Sequence, residues 1–391
     1  MKNVLLRAPL LTSSGYGVHS RQVFEWLFER KNVNLDVECL QWGATSWVLN
    51  PDFERGIYGK IMSCSKPLKN SYDITFQLQL PDEWDENLGA YNVGMTALVE
   101  TDKCNPAWLK KINAMDVVIV PSNFTKKIIE ETFGKRLKTE VKVVPEWYNQ
   151  EINLSKQVLN RARDERFNFD TSFNLLTVGT LTSGSSECDR KNLINTIAWA
   201  IEAFKDDPEV GIIVKTCFGK SSVNDRNITF EAMKQVVSEF RKTDFPKIHL
   251  IHGNMTPVEM AALFRSNNVH GYISATRGEG YGLPLVDAAA SGVPVVATGW
   301  SGHLDFLGEN FLKVDFELKN IPKDRVDGRI FVNNTSWAEP NKESFIKQLK
   351  YLKENYKSCL DKSASLRKDV KNKLTKQKVC KKYEKIFEQI G

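Results

Sequence analysis

The sequence predicts an α/β protein made of two doubly wound domains. Three observations carry this: the length, the alternation of apolar strands with helical segments, and a restart of that alternation after a polar break. A chain of 391 residues is more than one ordinary core organises, so two domains are expected. Short continuous apolar runs between helices point to parallel sheets covered on both faces. The restart follows the polar stretch "EWYNQEINLSKQ" and places a boundary near residue 150, with two Rossmann-like halves facing each other.

Taken in order, "VLLRA" at Val4–Ala8 reads as a buried strand and Val18–Phe28 has helical spacing. The β-rich runs "DITFQLQL", "YNVGMTALV" and "DVVIVPS" begin at Asp73, Tyr91 and Asp116, with helical patterns at 106–115 and 123–132. The second series holds strands in "FNLLTVGT", "VGIIVKT", "KIHLIHG", "VHGYISAT" and "GVPVVAT". Segments 192–204, 229–241 and 257–265 read as its helices. Near the end, "SLRKDVKNKLTKQKVCKKYEKIF" reads as one amphipathic helix with Val370, Leu374 and Ile386 turned inward.

Composition narrows the class. With 41% hydrophobic and 26% charged residues the chain is globular, neither disordered nor fibrous. The opening "MKNVLLRAPLL" is broken by Arg7, which does not suit a signal peptide, and no run has the length of a membrane span. The seven cysteines are scattered without CxxC spacing, which fits a reducing compartment and a cytoplasmic protein. The net charge of +6 is uneven: the segment from Lys342 on holds 15 Lys and Arg against 6 Asp and Glu. Such a tail is either a solvated helix face or a surface for nucleic acid or anionic lipid.

In doubly wound sheets ligands sit beyond the carboxyl ends of the strands. The loops there contain Gly15, Tyr16 and Gly17 in "PLLTSSGYGVHS", Arg190 and Lys191 after "TLTSGSSECD", Lys215 after Val214, and the stretch "ATRGEGYGLPLVDAAASG" from Ala275. Glycines and cations at strand-to-helix turns suit a phosphate, because free amides and the helix dipole already favour an anion there. Together they favour a nucleotide diphosphate. In the last stretch Gly278, Gly280 and Gly282 allow a tight turn, and Pro284 suits the first turn of a helix. Asp287 is expected in that same first turn, where a carboxylate is favourable without any ligand. Glu279 has no such role to play. A carboxylate inside a three-glycine loop is aimed at something.

The segment "EGYGLPLVDAAASGVPVVAT" resembles the signature of the family 4 glycosyltransferases, retaining enzymes of the GT-B fold, which is two facing Rossmann-like domains with a cleft between them. The resemblance implies an acceptor-side domain over 1–150, a nucleotide-sugar domain over 151–370, and a last helix, 371–391, that crosses back to the first domain. It gives Glu279, Gly280 and Tyr281 the donor sugar, with Gly282 and Leu283 completing the loop, and gives Asp287 the ribose hydroxyls. The family has glutamate at that second position, so Asp287 is one methylene shorter. Lys191 matches the family's diphosphate-binding lysine. The matching arginine position holds Thr180, which leaves Arg190 or Arg277 to supply the charge. Gly15, Tyr16 and Gly17 match the N-terminal glycine loop, where donor and acceptor meet, and "VVPEWYN" occupies the place of the hinge.

The implied activity is transfer from a nucleotide diphosphate sugar, with UDP expected, to a glycan or lipid-linked glycan. With no Asp-x-Asp pair in the sequence, no metal is expected. The leaving group's charge then falls to Lys191, nearby cations and helix N-termini. Polar residues for the sugar or acceptor come from Glu100 and Asp102 in "ALVETDKCNPAW", and His19 lies just past the glycine loop. One alternative is a DNA glycosyltransferase acting on hydroxymethylated bases in duplex DNA, held through basic groups such as "KRLKTEVK" and "RARDER". Another is an inactive nucleotide-sugar-binding subunit.

Overall fold

The computed structural model describes residues 1–98, 100–181 and 183–390. They form two compact units. The first holds Met1–Trp147, Gly328–Val332 and the residues from Lys376 on; the second holds Tyr148–Asp327 and Asn333–Thr375.

The first unit is built on six strands: β1 (Lys2–Ala8), β2 (Val33–Cys39), β3 (Tyr72–Leu78), β4 (Gly89–Met95), β5 (Val117–Val120) and β6 (Glu140–Val143). Their order is β2-β1-β3-β4-β5-β6, and every pairing is parallel. In β1, an interior strand of the sheet, Val4, Leu5 and Leu6 are all fully buried. That is why β1 reads as a continuous apolar run and not an alternating one. The helix Gly15–Phe28 begins at the end of β1, capped by Ser14, whose Oγ accepts from the Gly17 N–H at 3.0 Å. Helix Lys376–Gln389 adds Val379, Tyr383, Ile386 and Phe387 to the same core. Each such side chain contributes about 1.5–3 kcal/mol when fully buried.

The second unit repeats the design with β7 (Phe173–Val178), β8 (Val210–Thr216), β9 (Lys247–His252), β10 (Gly271–Ser274), β11 (Val295–Thr298) and β12 (Leu312–Val314). The order is β12-β11-β10-β7-β8-β9, again parallel throughout. An antiparallel hairpin follows, β13 (Phe316–Asn320) with β14 (Ser336–Pro340). Two parallel six-stranded sheets flanked by helices make this the GT-B fold.

Three expectations are corrected. The basic C-terminal stretch is not one helix: it breaks between Lys373 and Lys376 into Tyr356–Lys373 and Lys376–Gln389. Val370 and Leu374 then enter the core of the second unit and Ile386 that of the first, so the chain passes between units at the break. Residues 328–332, expected with the nucleotide-sugar domain, belong to the first unit. The reason is polar: Arg329 pairs with Asp82 at 2.6 Å and with Glu83 at 2.5 Å, and Asn105 donates to the carbonyls of Gly328 and Arg329. Finally, the helix after the three-glycine loop starts at Leu283, so Asp287 lies beyond its first turn and the dipole does not explain it.

No helix among the described residues is long and apolar enough to cross a membrane.

Candidate active site

At the carboxyl end of β10 the chain runs through Thr276–Gly282 into helix Leu283–Ser291. Gly282 caps the helix with φ of +100° and Gly292 ends it at +82°, both in the region that a Cβ disfavours. A second loop, after β11, lies hard against the first. A Cβ on Gly302 would stand 2.1 Å from the Gly280 carbonyl oxygen, so only glycine permits this approach. The Gly302 N–H donates to the Glu279 carbonyl at 2.8 Å, and the Glu279 N–H donates to Ser301 Oγ at 2.8 Å. Ser301 is held at φ of +89°, a strained conformation for a residue other than glycine. His303, fully buried, fixes this loop from behind, its Nε2 donating to the Thr298 carbonyl at 2.7 Å. Burial lowers the His303 pKa, which keeps the ring neutral.

Glu279 is thereby placed against the loop that follows β7. Lys191 Nζ lies 2.7 Å from both carboxylate oxygens, Thr276 Oγ1 is 3.1 Å from Oε1, and Arg190 Nη1 is 3.6 Å from Oε2. Arg190 also donates to the Gly278 carbonyl at 2.6 Å. Glu279 is only 6% exposed. Burial alone would raise its pKa, but Lys191 and Arg190 outweigh that and bring it to about 2. The group is a fixed carboxylate flanked by two cations.

Asp189 organises the cation loop, and sequence reasoning passed over it. Fully buried, it accepts from the N–H of Lys191 at 3.2 Å through Oδ1 and from the N–H of Leu193 at 2.7 Å through Oδ2. These bonds satisfy amides at the start of helix Leu193–Ala203. An Asp two residues before Lys191 and just before an apolar helix is a capping signal that was there to be read.

The other expected donor residues separate by environment. Arg277 is 2% exposed and fully engaged. It makes a two-pronged pair with Glu339 at 2.8 Å on each prong, donates to the carbonyls of Ser186 and Asp189 at 2.7 Å, and lies over the Trp337 ring. It is a clamp between the glycine loop, the cation loop and the β13–β14 hairpin. Of the two arginines proposed for the missing charge, Arg190 is the one beside Glu279. Asp287 is half-buried; its Oδ1 accepts from the Asn149 N–H at 2.7 Å, and burial pushes its pKa up to about 7 against that bond. Lys215, at the end of β8, makes no hydrogen bond or ion pair with the Lys191–Glu279 group. Burial lowers its pKa. Tyr281 is buried and packs against Phe306, so it supports the loop; Gly280 sits at the Gly302 contact, and Leu283 packs against the unit's core.

In the first unit the carboxyl edge of the sheet gathers a different set. Gly15 opens the helix, and a Cβ on Gly17 would meet the Thr12 carbonyl at 2.1 Å. The Tyr16 hydroxyl lies 3.0 Å from Thr96 Oγ1 and accepts from the Ala97 N–H at 3.0 Å; its ring stacks on Trp42 at 3.8 Å. Glu100 and Asp102 are half-buried in the loop after β4. His19 is 2% exposed, within hydrogen-bond distance of Tyr383 Oη at 3.1 Å and 4.0 Å from Glu146. Burial lowers its pKa to about 3. The ring is therefore neutral and part of the packing under helix Lys376–Gln389, a setting that does not suit the expected contact with an acceptor. Among the described residues no group of three or more His, Cys, Asp and Glu side chains is arranged to hold a metal ion.

The fold and this site define a GT-B protein with a cation-flanked carboxylate at the strand ends of its second sheet. Residues 256–383 match the model of a family described as "Family 4 Glycosyltransferase in conflict systems". Over that third of the chain the sequence is similar to the family 4 glycosyltransferases. Its fold is shared with a sucrose-phosphate synthase from Thermosynechococcus elongatus (13% identity, 100% of this chain and 99% of that one, TM-score 0.65). It is also shared with a glycosyltransferase from Rickettsia africae (15%, 100% and 98%, 0.64). A third similar structure is the Anabaena HepE protein in complex with UDP and glucose (11%, 100% of both chains, 0.65). No curated protein matches the sequence.

Proposed function

We propose that this chain is a glycosyltransferase that moves a sugar from a UDP-sugar, with retention of configuration, to a hydroxyl of a glycan or lipid-linked glycan. The observation that carries the donor half is the Lys191–Glu279 pair with Arg190 beside it. Lys191 and Arg190 supply two positive charges where a diphosphate would leave, and Glu279 supplies a carboxylate to accept hydrogen bonds from sugar hydroxyls. The UDP found in the similar HepE structure supports the choice of nucleotide. Asp287 is suited to the ribose through the oxygen not used by Asn149.

In the proposed reaction the bond from the anomeric carbon to the diphosphate oxygen breaks with its electron pair going to the phosphate. The acceptor oxygen bonds to the same face, and its proton passes to the departing phosphate. Preorganised cations stabilise the charge that develops on the leaving group, so no added metal is called for.

A second reading, sugar transfer to hydroxymethylated bases in DNA, is supported by the family's description as belonging to conflict systems and by the basic C-terminal segment. Against it, several of those cations are already paired: Lys376 with Glu25 and Glu29, Lys353 with Asp207 and Glu209, and Lys342 with Glu202. The test is transfer read by mass spectrometry, with a pool of UDP-sugars and either glycan acceptors or duplex DNA carrying hydroxymethylcytosine. A mass increment on the glycan supports the first reading. An increment on the modified base alone overturns it in favour of the second.

A further inference from the structure

We propose that Trp47, with Trp42 and Glu100, forms a platform for a neutral sugar ring of the acceptor at the carboxyl edge of the first unit's sheet. The inference rests on the sugar-transfer reading above and names the acceptor chemistry for it.

The loop after β2, "LQWGATSWVLN", Leu40 to Asn50, contains no charged residue. It is fastened to the loop after β1 by a bridge between Thr12 and Trp47, by the Val48 N–H donating to the Leu11 carbonyl at 2.8 Å, and by the stack of Trp42 on Tyr16. Both loops therefore share the sheet edge where doubly wound folds bind ligands. Of the chain's nine tryptophans Trp47 alone is exposed, at 40%, and Leu49 beside it is 66% exposed. An indole 40% exposed on a pinned loop leaves apolar surface open to a partner.

The surrounding chemistry selects the occupant. A sugar ring presents C–H groups to an aromatic face and hydroxyls to a neighbouring carboxylate. Glu100 provides that carboxylate at the same edge, near enough for its charge to act on Tyr16, whose hydroxyl burial and nearby acids hold far above the usual phenol range. A nucleic acid would need cations for its phosphates, and this loop offers none. The donor-handling cations lie in the other unit, which leaves this edge for the second substrate.

The test is calorimetric titration of the full chain with a panel of neutral mono- to trisaccharides, beside a thymidine oligonucleotide and phosphatidylcholine vesicles. A saccharide affinity that Trp47→Ala weakens by roughly tenfold and Trp47→Phe largely keeps is the expected result. UDP release from UDP-glucose without acceptor should be unchanged in both variants. A response to the oligonucleotide or the vesicles alone, no saccharide response, or one that Trp47→Ala leaves intact overturns the proposal. So does loss of UDP release in Trp47→Ala. A wild-type chain that binds saccharide but releases no UDP would fault the donor reading and leave the platform standing.

Discussion

Lys191 meets Glu279 through both carboxylate oxygens, Nζ lying 2.7 Å from each. The pair joins the loop after β7 to the loop after β10, so it is a structural bond as well as the proposed donor site. Substituting Lys191 with Gln leaves a mostly buried carboxylate with Arg190 as its nearest cation. Breaking a buried pair by removing one partner costs about 3–5 kcal/mol; the remaining arginine places the expected loss near the low end, about 3 kcal/mol. Urea denaturation at neutral pH measures it. The acid side gives an independent check. Glu279 titrates at about 2 in the fold and at about 4.3 when unfolded. Its stabilisation is present above the unfolded value and lost as pH falls from there toward 2. Lys191→Gln should flatten that loss.

Asp287 runs the other way. Its pKa in the fold is raised to about 7, against about 3.9 unfolded. Between those values the folded chain holds a proton that the unfolded chain releases, so its contribution to stability is full below the unfolded pKa and is lost as pH rises through the folded one. Asp287→Asn should therefore match the wild type at low pH and exceed it in stability above about pH 7. If the carboxylate grips ribose, wild-type affinity for UDP-glucose rises across the same window, and the Asn variant shows no such rise. Calorimetric titration at several pH values reads both.

Arg277 is expected to matter for the fold more than for the donor. Arg277→Met removes the pair with Glu339 and two bonds to carbonyls, and should cost about 3 kcal/mol or more. A double-mutant cycle with Glu339→Gln should give a coupling of roughly 0.5–3 kcal/mol. Additive effects would mean that the two side chains do not depend on each other.

Gly302→Ala places a methyl 2.1 Å from the Gly280 carbonyl, so one loop must move. Overpacking of this kind costs about 1–3 kcal/mol, and donor affinity should fall with it because Glu279 rides on the displaced loop. Gly184→Ala, with nothing within 4 Å of the new methyl, is the control expected to change neither.

Much of this was legible before any coordinates. The apolar runs of β1, β5, β7, β8 and β11 announce themselves because strands buried on both faces have no polar alternation to mislead the reader. The three-glycine loop and the Lys191 position stand out for the same local reason: backbone geometry and helix starts are written in nearby residues. What was hidden is long-range or short. β2 carries Asp36, buried at 2% exposure, whose carboxylate is satisfied by Lys69 at 3.0 Å. No local pattern announces that pairing. β6 has four residues and β12 three, below what periodicity resolves. The engagement of Arg277 by Glu339 spans sixty-two positions, and the burial of His19 depends on Tyr383, 364 residues away. Each looked like an available functional group until its distant partner was seen. The Arg329 contacts that draw 328–332 into the first unit are of the same kind.

In the proposed reaction the Lys191–Glu279 group handles the departing nucleotide diphosphate and its sugar. The most direct measurement is UDP release from a panel of UDP-sugars by the wild type, Lys191→Ala and Glu279→Gln, with UDP binding by calorimetry on the same samples. The wild type should release UDP slowly from at least one donor. Lys191→Ala should lose release together with UDP affinity, a lost charged hydrogen bond being worth roughly 1.5–3 kcal/mol. Glu279→Gln should lose release while keeping most UDP affinity. Release that survives in both variants would contradict the claim and move the site elsewhere on the fold.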